Sequence, residues 1–91
     1  MEMIEEKELI TCLRNFKDIG IYIKTEGMVS SMNTIHKLDF SIQYDVLRLK
    51  DKITKNYFTI NLNQVYKILA SSDRKTVKLY IDNDILVTII D

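Results

Sequence analysis

Proline and tryptophan are missing from this sequence, glycine occurs only at Gly20 and Gly27, and cysteine only at Cys12. Without tryptophan the core must be aliphatic, with some Phe and Tyr. Without proline, and with two glycines, long irregular active-site loops are hard to build, because those residues normally set the turns. Neither a phosphate-binding P-loop nor a dinucleotide glycine pattern can be written. One cysteine excludes an internal disulfide and any thiolate zinc site made from a single chain, and it fits a reducing, cytoplasmic setting. No apolar run approaches the ~20 residues of a membrane-spanning helix. The first six residues, Met1 to Glu6, are acidic, unlike a secretory signal. The expectation is a soluble protein with no membrane partner.

What is present describes an ordinary folded domain. Apolar residues at 46% and charged residues at 29% argue against disorder and for one domain over residues 1–91 with one modest core. The formal net charge is zero, yet the charge is unevenly placed. Residues 1–45 carry a net −3, residues 46–78 a net +6, and the last thirteen a net −3. That polarity suits oriented association better than general nucleic-acid binding, which usually needs a net basic domain.

The most informative stretch is the C-terminal one. Val77, Leu79 and Ile81 alternate with Lys78 and Tyr80, the signature of a strand with one dry face. Asp82-Asn83-Asp84 supplies a tight hairpin turn. The return strand, Ile85 to Ile90, is apolar at five of six positions, so both of its faces want cover. Ile85, Val87 and Ile89 would face the core, leaving Leu86, Thr88 and Ile90 as a candidate protein interface.

Upstream, about residues 2–18 read as a helix with Leu9, Leu13 and Phe16 on one stripe. Glu2, Glu5, Glu6 and Glu8 at its start and Arg14 and Lys17 near its end complement the helix dipole. Gly20 suits a left-handed stop. From about 19 to 90 the pattern is a strand meander. Ile21 and Ile23 open it, Met28 to Met32 is a poorer strand with Asn33-Thr34 as a break, and His36 to Tyr44 alternates most clearly. Val46 to Lys50 and Tyr57 to Leu62 follow. Asn63 to Leu69 is either a short helical turn or a bent strand, and the bent strand is preferred. The fold class is α+β: one N-terminal helix packed on a strongly bent, mostly antiparallel five- to seven-stranded sheet or small open barrel.

Catalytic chemistry is hard to assemble from these residues. Cys12 lies on the predicted helix and the lone His36 at the mouth of a distant strand, with nothing in their spacing to bring them together. Asp39, Asp45 and Asp51 recur every six residues without a motif. Asp82-Asn83-Asp84 lacks the length, glycine and closing glutamate of a calcium loop. No enzyme activity, no cofactor and no metal is expected.

Two charged features remain. Arg48, Lys50, Lys52, Lys55, Arg74, Lys75 and Lys78, with Tyr57 beside them, come from turns and strand flanks. If gathered into one patch they could contact RNA or an anionic nucleotide. The competing role is solubility and protection of strand edges. Glu2, Glu5, Glu6 and Glu8 could form an acidic docking surface.

Helix followed by meander, at this length, resembles the layout of Sm-like RNA-binding barrels, in which a short helix precedes five bent strands. The resemblance covers element order and size, and it implies RNA binding. The Gly and Asp/Asn signatures of those families' second and third strands have no counterpart here. Small PH-like and other sheet-plus-helix modules fit the layout equally. The proline-free, Lys/Ile/Asn-rich composition also resembles small proteins of low-GC bacteria and their phages, some of which inhibit host defence enzymes. The leading expectation is a non-catalytic protein–protein interaction module, homo-oligomeric, self-associating through the C-terminal strand. Nucleic-acid or nucleotide binding and phage-type inhibition by direct binding are the alternatives.

Overall fold

Apolar residues two apart become strands and the stripe at helical spacing becomes a helix. A computed structural model describes residues 1–91 apart from Met28 and Asn83. In chain order the elements are β1 (Glu2–Met3), α1 (Glu6–Phe16), β2 (Ile21–Glu26), β3 (Ser31–Ile35), β4 (Leu38–Gln43), β5 (Val46–Asp51) and β6 (Tyr57–Asn61). A 3-10 turn (Leu62–Gln64) then leads to β7 (Val65–Ala70), β8 (Thr76–Ile81) and β9 (Ile85–Ile90).

The strands form a six-stranded sheet ordered β1-β7-β8-β9-β2-β3 and a three-stranded sheet ordered β4-β5-β6. Every ladder is antiparallel. From β2 onward each strand lies beside its sequence neighbour, except at the β3–β4 and β6–β7 corners, and β9 returns to pair with β2. The order is therefore that of a meander barrel interrupted twice. The α+β class is as expected, but the strands fall in two sheets of six and three rather than in one sheet of five to seven or the five-strand Sm-like layout, and the described residues form no closed barrel.

The corners explain the difference. At the β3–β4 corner the N–H groups of His36 and Lys37 donate to the Asp51 carboxylate, so they are withdrawn from any continuing ladder. At the β6–β7 corner the Asn61 side chain accepts from the Asn63 N–H and caps the 3-10 turn. The Asn63–Leu69 segment thus contains both of its sequence alternatives in succession. The bend continues into β7 as a register shift between Val65 and Lys67.

Three local expectations are corrected. Glu2 and Met3 are not helical; they pair with Ala70 and Leu69, and α1 starts only at Glu6. The left-handed residue after the helix is Asp18 (φ 68°), not Gly20, and its N–H donates to the Leu38 carbonyl. Asn33 and Thr34 do not break the chain but pair with Ile23 and Tyr22, tertiary context overriding weak strand propensity. Met28, with which the expected Met28–Met32 strand begins, and Asn83 of the expected Asp82-Asn83-Asp84 turn lie outside the described residues.

One hydrophobic cluster serves both sheets. Leu9, Leu13 and Phe16 of α1 meet Ile21, Ile23, Val77, Leu79, Val87 and Ile89 of the larger sheet and Leu38, Leu47, Leu49 and Ile60 of the smaller. The helix and the small sheet therefore cover the same face of the large sheet. Neither covers its other face, on which Tyr22, Met32 and Met3 are exposed. Among the described residues no helix is long and apolar enough to cross a membrane.

Candidate functional site

The uncovered face of the six-stranded sheet is built by strand alternation. Val87 and Ile89 point into the core, so Leu86, Thr88 and Ile90 point out. Register then sets their neighbours. Ile90 lies between Thr76 and Tyr22, Thr88 between Lys78 and Lys24, and Leu86 between Tyr80 and Glu26. Further along, Lys67 faces Tyr80 and Leu69 faces Lys78. The result is an apolar and aromatic surface with three lysines and one glutamate. Lys24 is paired with Glu26 at 2.8 Å, and the Lys67 ammonium lies 4.3 Å from the centre of the Tyr80 ring. Tyr66 and Tyr80 are 6.2 Å apart and tilted.

Leu86 and Ile90 are half-buried and Thr88 is only 6% exposed. Long neighbouring side chains thus shelter this flank of β9, and solvent reaches it only in part. A partner strand cannot add to β9 itself, because β8 and β2 already occupy both of its edges. Any contact through these residues is made face-on.

The basic residues do not gather into one patch. Arg48 and Lys50 point out of the smaller sheet, where the Arg48 guanidinium lies 3.9 Å from the centre of the Tyr57 ring. Lys78 lies on the far side of the molecule, on the outer face of the larger sheet. Lys52 is engaged by Asp18, and that hydrogen bond holds the Asp18 carboxyl below its ordinary range. Lys55 sits exposed at a left-handed turn position. Lys75 is exposed in the β7–β8 loop, its N–H donating to Asp73.

Arg74 is taken up by acids. It contacts Glu2 at 2.9 Å and Glu8 at 3.0 Å and donates to the Ser71 carbonyl. This cluster ties the β7–β8 loop to β1 and α1, and it removes Arg74 from the basic set and Glu2 and Glu8 from the acidic one. Glu5 and Glu6 stay exposed at the helix start. Cys12 faces the core, and burial pushes its thiol above the usual value.

The most organised polar group is Asp51, which the sequence motifs did not single out. Its side chain is 1% exposed. One oxygen accepts from the His36 N–H at 3.0 Å and lies 2.8 Å from His36 Nδ1; the other accepts from the N–H groups of Ile53 and Lys37. Burial pushes this carboxyl up, but the hydrogen bonds from His36, Ile53 and Lys37 outweigh it and hold it far below the carboxylate range. The Asp51 backbone also closes the β5–β6 loop through Asn56 and Lys55. The carboxylate thus pins two loops. A signal was available: Asp51 continues the inward phase of Leu47 and Leu49, and an acid on a dry face needs donors. The His36 imidazole is held to Asp51 through Nδ1, and none of the described side-chain hydroxyls or thiols hydrogen-bonds to it.

Beside Asp51 a cleft of about 130 Å³ opens between β3 and the start of β6, lined by Asn33, Thr34, Asn56, Tyr57 and Phe58 among others. Among the described residues no three His, Cys, Asp or Glu side chains come together as a metal site would require. Comparison with protein-family models, with curated proteins and with solved structures finds no match for this chain.

Proposed function

We propose that this protein is a non-catalytic interaction module that self-associates through the outer face of its larger sheet, around Leu86, Thr88 and Ile90. The observation that carries this reading is that six-stranded face, apolar at Leu69, Leu86 and Ile90 and aromatic at Tyr22 and Tyr80, which neither the helix nor the smaller sheet covers. Tyr and Met are enriched at protein interfaces, and the exposed Met3 and Met32 extend the surface at both margins. The buried single thiol suits a reducing compartment, so a cytoplasmic place of action belongs to the same proposal. Light scattering during size exclusion tests it: a concentration-dependent oligomer is expected, and Leu86→Lys should weaken it. A strict monomer at high concentration, unchanged by that substitution, rejects self-association through this face.

A second reading is supported by the Arg48–Tyr57 stack on the smaller sheet. A guanidinium over an exposed aromatic ring, with Lys50 adjacent, is a platform on which a base of RNA or a nucleotide can stack. It predicts salt-sensitive retention of single-stranded RNA that falls when Arg48 and Lys50 are replaced together by Ala. No retention at low salt removes it. The inhibitor reading is left with Glu5 and Glu6 as free acids, and no further observation supports it.

A further inference from the structure

We infer that β3 is a second association surface, at which two copies of this chain pair edge to edge, antiparallel, about an axis through Asn33. This inference rests on the reading that the chain self-associates, but it uses a different surface. β3 ends the larger sheet. Its inner edge pairs with β2 in unbroken register from Ser31 to Ile35, and among the described residues no backbone group of Ser31 to Ile35 hydrogen-bonds outside that ladder. The outer edge therefore presents the N–H and C=O groups of alternate residues along the strand, beside the cleft that separates β3 from Tyr57 and Phe58 of β6.

Natural sheets blunt such edges with charges, bulges, proline or shortness. Two of the other margins, β1 and β4, are blunted. β1 is two residues long. β4 bears Asp39, and its first residue, Leu38, is bonded in both directions by Asp18 and Ile19. β6, uncharged and regular, carries no such device of its own, and its start, Tyr57 and Phe58, stands across the cleft from β3. Ser31-Met32-Asn33-Thr34-Ile35 has none of these devices: it holds no charge, no bulge and no proline. Met32, at 61% exposed, and the preceding Val29, at 79%, give the edge apolar surface to bury.

The same five residues are compatible with themselves. Centred on Asn33, antiparallel pairing sets Asn33 against its counterpart, Met32 against Thr34, and Ser31 against Ile35. No like charges meet, and the opposed asparagine amides can bond to each other. The two sheets then become one of twelve strands, with the outer faces of both copies continuous.

Cross-linking at the axis tests this. Opposed residues in an antiparallel pair have Cα atoms about 4.5–5.5 Å apart, within disulfide reach. An Asn33→Cys chain under mild oxidation is expected to run as a dimer on a non-reducing gel, while Asn63→Cys, exposed elsewhere, stays monomeric. Cys12 is buried and does not compete. The dimer and the cross-link should persist when Leu86→Lys is added, and Asn33→Lys, which sets two ammonium groups face to face, should abolish the edge dimer with an unchanged circular dichroism spectrum. If Asn33→Cys stays monomeric while the wild-type chain associates and Leu86→Lys disrupts it, the edge pairing is wrong and the sheet-face reading stands. If the wild-type chain is monomeric throughout and Asn33→Cys does not cross-link, both fail.

Discussion

Asp51 shows how much one buried group can organise. Its carboxylate satisfies donors from His36, Lys37 and Ile53 that no strand partner serves, and its ionised form is favoured by them. Because its folded-state value lies below that of the unfolded chain, ~3.9, the stabilisation is fully present above that pH. It is lost as pH falls through the depressed folded value. Thermal unfolding followed from pH 6 down to pH 2 should show a falling midpoint below about pH 4. Asp51→Asn, which can accept fewer hydrogen bonds, should lower the midpoint at pH 6 and flatten that dependence. Carboxyl NMR should find Asp51 still ionised below the ordinary carboxylate range; titration within that range would contradict the geometry. Tyr44 carries strain of another kind. It and Asp45 both hold positive φ, 53° and 61°, in the two-residue β4–β5 turn. A tyrosine there is uncomfortable, and it is 90% exposed with nothing to pack on. Tyr44→Gly should raise stability by about 1 kcal/mol, equivalent to an increase of about 4–8 °C in melting temperature.

At the scale of elements, what was legible and what was not divides on physical grounds. The β8–β9 hairpin, the Leu47/Leu49 strand and the Leu9/Leu13/Phe16 stripe could be read because a repeating apolar phase needs no knowledge of the partner. β1 could not, and β3 only in part: the weak Met28–Met32 strand reaches β3 at Ser31 and Met32, but Glu2-Met3 and Asn33-Thr34 are strands only because β7 and β2 lie beside them. The two-sheet division was equally hidden, since it depends on where Asp51 directs its hydrogen bonds and on the Asn61 cap. The dispersal of the basic residues followed from it, because two sheets have two outer faces. For α1 the stripe makes a graded prediction. Phe16→Ala removes a fully buried ring from the shared core and should cost about 3–5 kcal/mol, whereas truncating the half-buried Ile10 should cost clearly less. Urea denaturation of the two variants checks this, and equal losses would mean that the helix does not seat on the sheet along that stripe.

Considered whole, the molecule offers three surfaces of different electrostatic character, and ionic strength separates them. The outer face of the larger sheet holds Lys24, Lys67 and Lys78 against one acid, Glu26. Two such faces brought together oppose like charges around an apolar centre, so added salt should tighten their association by screening. The β3 edge is uncharged, so pairing there should barely respond. Nucleic acid on the Arg48–Tyr57 platform would be released by salt, because each phosphate neutralised returns counterions to solution. Sedimentation of the free chain between about 0.05 and 0.5 M salt, spanning Debye lengths of roughly 14 to 4 Å, therefore assigns the dominant contact. An oligomer that strengthens with salt and is lost in Leu86→Lys belongs to the sheet face. One that is indifferent to salt and lost in Asn33→Lys belongs to the edge. Self-association that dissolves as salt rises fits neither surface and would require opposite charges to meet, as when the exposed Glu5 and Glu6 of one copy reach the lysines of another.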